Sequence, residues 1–418
     1  MEKTKGKTSL VIVIIMLMTF FFSLTLCEVS PLITNIVSQT GWTLGQAGQL
    51  NAIVFFLMGA FAVVASPIMD VMGTKKTALL ALALAAASHL VSFLCGDSFT
   101  VHYIRQFVYG CSWGIFFLVP GAVLNYWLPQ ESRAFFLGMR CAVDLGSCAV
   151  AYYIVLPIFH ALGDNWQMTF TIIGFLAVII FAVYAVFIPT TQEELDERAA
   201  KKAAKAAGTR QAPGIVRAAK SKQVWIICLC LVGMQWVYNI WSSYLPSFLE
   251  LERGFTAEAA SNMAGVMSVA GIVSGLGGGA LSSALGRRKI LTWPVLLIGL
   301  VGAFGSLYVT NTALLMFFSG CVGFGITGFM TAYTTIPGEL PEAIGDVDFY
   351  NGAVAIIYAI AFMVTYIPPY IIDAFSAAGK TMQFSLTVLA IPLAFSCVVS
   401  FFIMETGPKG KLAQSWKA

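Results

Sequence analysis

Twelve times along its 418 residues this sequence runs for twenty or so residues with almost no charge. The runs cover 9–35, 46–69, 76–96, 100–127, 134–160, 166–189, 223–249, 258–282, 290–310, 312–336, 350–373 and 382–404. At ~1.5 Å of rise per residue, each crosses a hydrocarbon core of ~30 Å as a helix. In hydrocarbon every backbone N–H and C=O must find its partner inside the protein, which leaves helices or closed barrels. The alternating pattern of barrel strands is absent, so the expected class is an all-α integral membrane protein of twelve transmembrane helices. Composition agrees: 58% of residues are hydrophobic and 11% charged, with a mean hydropathy of +0.83. A soluble fold cannot hide that much apolar surface. The basic start, MEKTKGKTSL, leads into a run too long for a signal-peptide core and without a small-residue cleavage site, so it reads as a retained first span.

One long polar segment interrupts the pattern. Residues 190–223 are rich in Ala, Glu and Lys and read as a partly helical surface linker. It divides the chain into an N-terminal six-helix half (1–189) and a C-terminal six-helix half (224–404), with a tail at 405–418. If the N-terminus is cytoplasmic, all but four of the 24 basic residues fall on cytoplasmic segments. The exceptions are Arg105, Arg140, Arg253 and Lys380. Such a bias places both termini on the cytoplasmic side of a cell (plasma or inner) membrane. No basic face on a soluble domain offers a surface to nucleic acid. The nine Cys show no metal-ligand spacing and read as small buried hydrophobes without disulfides. No nucleotide loop, nucleophile motif or His/Asp cluster suggests an enzyme, a cofactor or an ATP-driven pump.

The two halves repeat. SPIMDVMGTKK (66–76) follows span two, and GALSSALGRRK (279–289) follows span eight. Asp70 aligns with Ser283 and Gly73 with Gly286, and cations follow in each: Lys75 and Lys76, then Arg287 and Arg288. Repeat-built halves with a site between them are a transporter architecture. With these motifs the chain resembles the major facilitator superfamily of secondary transporters, whose loop signature is Gly-x3-Asp-x2-Gly followed by two cations. Ser66 stands for the first Gly, and Thr74 precedes the Lys pair. NYWLPQESRAFFLG (125–138), YLPSFLELERGFTAEAAS (244–261) and HYIRQFVYG (102–110) resemble segments of the metabolite and organic-anion branches. The resemblance implies the major facilitator fold, a monomer and alternating access. It also gives Asp70, Gly73, Lys75, Lys76, Gly286, Arg287 and Arg288 a gating role at the cytoplasmic helix ends. Span five lacks the Gly-Pro motif of drug/proton antiporters of this superfamily.

Four ionisable residues lie well inside spans: Glu28, Arg105, Arg140 and Asp144. A charge at the bilayer centre costs roughly 2.5–3.5 kcal/mol, so such residues face the protein interior and have partners. Counting along the spans puts Glu28 and Arg105 together in the outer third, Arg140 in the inner third and Asp144 near the middle. Arg140 and Asp144, four apart, share a helix face and can pair. Arg105 and Arg140 are candidates to attract an anionic substrate. Glu28 and Asp144 are candidates for charge balance and for carrying a proton, Glu28 first, since burial favours the neutral form of an acid. The three His are read as satisfied or solvated side chains. The C-terminal half has no charge inside a span. Its span seven places Gln235 and Asn239 four apart on one face, as polar cavity candidates, beside Trp236, Tyr238, Trp241 and Tyr244. The expectation is a secondary active transporter of a small polar metabolite, an organic anion or zwitterion, coupled to protons. The alternative is a drug/proton antiporter of the same fold.

Overall fold

Proline and glycine decide where the long apolar runs bend, and the computed structural model shows how. It describes residues 5–196, 198–199, 214–343 and 346–407. The basic core of the linker and the end of the tail lie outside the described residues. The twelve spans are α1 (Gly6–Thr40), α2 (Leu44–Met72), α3 (Thr74–Leu94), α4 (Phe99–Trp127), α5 (Gln130–Ala161) and α6 (Trp166–Phe187) in the first half. In the second half they are α7 (Lys222–Arg253), α8 (Ala257–Leu285), α9 (Lys289–Tyr308), α10 (Thr312–Glu339), α11 (Asp348–Ala377) and α12 (Met382–Ser400). All twelve expected spans are present, most of them a few residues longer than the apolar runs.

Several spans are not continuous helices. α1 is helical to Leu26, bends at Cys27–Val29, and resumes after a short 3-10 turn at Ser30–Leu32. Pro31, which has no N–H to offer the preceding turn, sits in that turn. α11 breaks at Val364–Tyr366, just before the Pro368–Pro369 pair. α4 loosens at Phe117–Leu118, ahead of Pro120, and α12 at Ala390, ahead of Pro392.

The two halves have the same internal pairing. α2 packs on α4 and α8 on α10; α3 packs on α6 and α9 on α12; α1 packs on α5 and α7 on α11. Between the halves α2 lies against α11 and α5 against α8, which are again equivalent pairs. Small residues set the closest approaches. A Cβ on Gly323 of α10 would lie 1.8 Å from the carbonyl oxygen of Met267 on α8. Gly271 and Gly275 both face Thr327 of α10, as their spacing predicts for close helix contact.

With an even number of spans, both ends of the described chain lie on one face of the bundle, here called proximal. The hydrogen bonds that join the halves gather toward the opposite, distal face. Thr34 on α1 donates to Glu250 on α7 (2.7 Å), and Asn51 on α2 to Ser243 on α7 (3.0 Å). Asp373 at the end of α11 accepts from the hydroxyl of Thr43 (2.7 Å) and the amide of Gly45 (2.8 Å) at the start of α2. The hydroxyls of Tyr103 and Tyr366 are hydrogen-bonded at 2.6 Å, and the Tyr152 hydroxyl donates to the carbonyl of Ser242 (2.6 Å). Deeper toward the proximal side, Phe117 of α4 meets Tyr358 of α11, ring centroids 4.3 Å apart.

Candidate functional site

Two polar groups occupy the membrane interior, one between the halves and one inside the first. Arg140 and Asp144, both half-buried, present the same face of α5 toward the seam. The structure does not pair them. Asp144 instead accepts a short hydrogen bond from the hydroxyl of Ser23 on α1, and no ion pair joins it to Arg140. Across the seam, Tyr358 on α11 lies within electrostatic reach of both, Tyr333 on α10 within reach of Arg140, and Tyr238 on α7 within reach of Asp144.

Gln235 and Asn239 are buried on α7, and Gln235 Oε1 and Asn239 Nδ2 have no hydrogen-bond partner. At 100° per residue they lie between Ser242, whose carbonyl takes Tyr152 of α5, and Ser243, whose hydroxyl takes Asn51 of α2. That sector of α7 looks into the first half.

The second group is closed from every side. Glu28, in the bend of α1, and His89, on α3, meet at 3.0 Å (Oε1 to Nε2), both side chains fully buried. His89 is fixed by its other nitrogen: Nδ1 lies 2.9 Å from the carbonyl oxygen of Ala85 and 3.1 Å from the hydroxyl of Ser88. Its ring sits edge-on to Tyr109 at 4.7 Å and to Phe21 at 5.9 Å. α6 comes close only because residue 174 is glycine; a Cβ there would lie 2.3 Å from that of His89. Arg105 on α4 is 3% exposed and points away from the seam. Its guanidinium lies 5.0 Å over the Phe170 ring of α6 and within electrostatic reach of Glu28. Among the described residues none of its nitrogens has a hydrogen-bond partner, and neither has Glu28 Oε2. The structure thus brings Glu28 and Arg105 into one region but sets Arg105 apart from Arg140. His102 is buried against Trp166, ring centroids 4.4 Å apart, with Nε2 2.9 Å from the Gly96 carbonyl oxygen.

At the proximal face each repeated loop turns on a glycine, but the backbones differ: ψ is 162° at Gly73 and 27° at Gly286. Gly73 and Gly286 end α2 and α8 with φ of 82° and 64°, a region closed to most L-residues. The next helix of each half starts with free amides, and each is capped by a distant glutamate. Glu194, buried just after α6, accepts from the amide (2.6 Å) and hydroxyl (2.7 Å) of Thr74. Glu405, just after α12, accepts from the amides of Arg288 (2.6 Å) and Lys289 (3.1 Å). A carboxylate at a helix N-terminus meets both unbonded donors and the positive end of the dipole. The residues at the edges of the expected linker and tail are thus structural parts of the two halves. The Asp70 carbonyl accepts from Nε of Arg198 (3.3 Å). Lys75 donates to the carbonyl of Ala185 (2.8 Å), while Lys76 and Arg287 are exposed. Arg288 holds Glu339 through two nitrogens, Nε to both carboxylate oxygens at 3.0 Å and the terminal one at 2.6 Å.

His89, Ser23, Glu194 and Glu405 were not singled out from the sequence. For the glutamates a signal exists: 211 positions separate them, close to the 213 of the loop repeat. Nothing local marks His89, because its partner is 61 residues away.

A profile of the Major Facilitator Superfamily matches residues 10–366. The chain is 25% identical over 326 residues to a probable sulfoacetate transporter, SauU, of Cupriavidus necator, covering 72% of each chain. Two solved structures share the fold at 13% identity. One is a bacterial homologue of the human lysosomal transporter Spinster, inward-facing and unoccupied, with a TM-score of 0.75 over 96% of this chain and 97% of that one. The other is a D-xylose–proton symporter, with a TM-score of 0.72 over 96% and 98%.

Proposed function

The chain belongs to the Major Facilitator Superfamily, and from that premise we propose that it is a secondary active transporter of a small organic anion, coupled to protons. The observation that carries this reading is the seam between the halves. There Arg140 has no carboxylate paired with it among the described residues, while Asp144 is held by Ser23. A guanidinium in a half-dry cleft is an anion receptor, with five N–H donors in a fork that fits a carboxylate or sulfonate. Tyr333 and Tyr358 supply hydroxyls from the other half, so an anion held by Arg140 bridges the two. Gln235 and Asn239, each with an unpartnered amide atom, serve a polar group at the other end of the substrate. Asp144 keeps the empty cleft near neutrality. Glu28 carries the coupling proton behind it, with Arg105 as its fixed countercharge rather than as a substrate ligand.

Alternating access follows from where the halves are joined. Their hydrogen bonds lie toward the distal face, so rocking about the seam closes the proximal side when the distal bonds break. On the positive-inside reading the proximal face is cytoplasmic and the described state is inward-facing. The glutamate-capped loops at Gly73 and Gly286 keep the proximal ends of each half rigid during that motion.

The test is a ligand-stabilisation screen on the purified protein at two pH values. It uses sulfoacetate, other sulfonates, dicarboxylates, amino acids and lipophilic cations. A ligand at a hundred times its Kd stabilises the folded state by about 2.7 kcal/mol, a readable shift in melting temperature. Stabilisation by a sulfonate or carboxylate, lost in Arg140→Gln, is the expected result. Stabilisation by lipophilic cations alone would replace this reading with the drug/proton antiporter.

A further inference from the structure

His89 changes what the acid in α1 can do. Its Nδ1 faces the carbonyl oxygen of Ala85 at 2.9 Å, and a carbonyl only accepts. Ser88 has one hydroxyl proton, and its oxygen lies 3.0 Å from that same carbonyl. Nδ1 therefore carries a proton and shares it with Ala85 and Ser88. In a neutral imidazole the other nitrogen then has a bare lone pair. Nε2 lies 3.0 Å from Glu28 Oε1, a hydrogen-bond distance between two atoms that would both be acceptors if Glu28 were ionised. A second proton must lie between them, either on the carboxyl group or on an imidazolium.

We propose that Glu28 and His89 form a buried site for a single proton, held between Oε1 and Nε2 and separate from the cleft between the halves. The surroundings fix the stoichiometry at one. Without that proton a lone pair and a carboxylate oxygen repel in a place with no water to screen them. With two added protons, imidazolium and neutral carboxyl would face Arg105, a cation within electrostatic reach and without a hydrogen-bonded carboxylate. The other groups around the couple are weak acids. Tyr109 of α4 lies edge-on to the imidazole and its hydroxyl donates to the Phe22 carbonyl (2.9 Å). Cys27 of α1 and Cys148 of α5 act on Tyr109 together with Glu28. α6 presents Gly174 and Thr171, whose hydroxyl lies 3.3 Å from the His89 carbonyl oxygen. The couple loses its proton by opening, and Glu28 sits in the one bend of α1, so proton release is tied to movement of that bend. Identifying this proton with the coupling ion rests on the transporter reading above; the proton site does not.

Nitrogen-15 NMR of the histidine-labelled full-length protein decides it, with no substrate needed. The chain has three His, so His102→Gln and His160→Gln assign the remaining signals to His89. Carbon-13 labelling of Glu reports the carboxyl state of Glu28 in the same samples. At neutral pH the expected spectrum shows either a doubly protonated His89, or a neutral one protonated at Nδ1 with a protonated Glu28. In Glu28→Gln, which has no carboxyl group to share a proton, the spectrum should show a neutral His89 protonated at Nδ1. A neutral His89 protonated at Nε2, or one protonated at Nδ1 beside an ionised Glu28, overturns the proposal. If Glu28→Gln does not fold, the wild-type spectrum alone makes the same distinction. Should the proton site stand while the ligand screen finds no anion, the anion-transporter reading falls and the site does not.

Discussion

Replacing Arg140 by Lys keeps the positive charge in the seam but removes the planar fork. For a bidentate anion the expected cost is about tenfold in apparent affinity, with Arg140→Gln losing binding outright. Isothermal titration with the anion identified by stabilisation distinguishes the two variants. Asp144→Asn preserves an acceptor for Ser23 while removing the negative charge beside the guanidinium. That variant should bind an anion more tightly and release it more slowly, seen as a lower Kd and slower exchange in proteoliposomes. The physical reason is the same for both: in a cleft of low dielectric, a charge acts over distances at which water would have silenced it.

Individual helices owe their places to close backbone approach. α8 and α10 meet where Gly323 lies against the Met267 carbonyl, leaving no room for a methyl group. Gly323→Ala should therefore destabilise by about 1–3 kcal/mol, the usual cost of overpacking, while Gly277→Ala, where the added Cβ meets nothing within 4 Å, should not. Thermal unfolding in one detergent reads both. The glutamate caps are testable as a symmetric pair. Glu194→Ala and Glu405→Ala each strip hydrogen bonds from the start of a third helix, α3 or α9. Each should lower stability by about 1–3 kcal/mol, since a bonded carboxylate at a helix N-terminus contributes on that scale.

Across the whole molecule the seam between the halves sets the conformational balance. Asp373 ties the distal end of α11 to the start of α2, accepting from Thr43 and Gly45. Asp373→Ala removes both bonds and should shift the population toward distal opening, measured as a longer spin-label distance between residues 41 and 377. An unchanged distance distribution would show that the other hydrogen bonds and aromatic contacts across the seam hold it without Asp373. The linker docks by a different ion pair. Arg217, in the short helix Gly214–Ala218, binds Asp346 just ahead of α11, with a second N–O contact at 3.0 Å. The Phe349 amide, and after it Arg217, hold the Asp346 carboxyl below its ordinary 3.8. A depressed carboxylate stabilises the fold above its ordinary value and loses that contribution as the pH falls through the lower, folded one. Protease cutting in the linker should therefore rise on acidification below about pH 4 in the wild type. In Asp346→Asn it should be high and flat with pH.

How much was legible differs by distance along the chain. The twelve spans could be read directly, because span length is a property of contiguous residues and the bilayer imposes it one segment at a time. The depth count also placed Glu28 and Arg105 in one region, since rise per residue is fixed. The partners were not legible. Arg140 and Asp144, four apart, looked like a pair, but α1 brings Ser23 against Asp144 and leaves the guanidinium to the seam. His89 looked like an isolated polar residue, and it meets Glu28 only because Gly174 lets α6 press α3 against the bend of α1. Sequence determines what each helix must bury. Which buried group faces which depends on helix rotation and crossing, set by packing between segments far apart in the chain, and only the tertiary structure decides it.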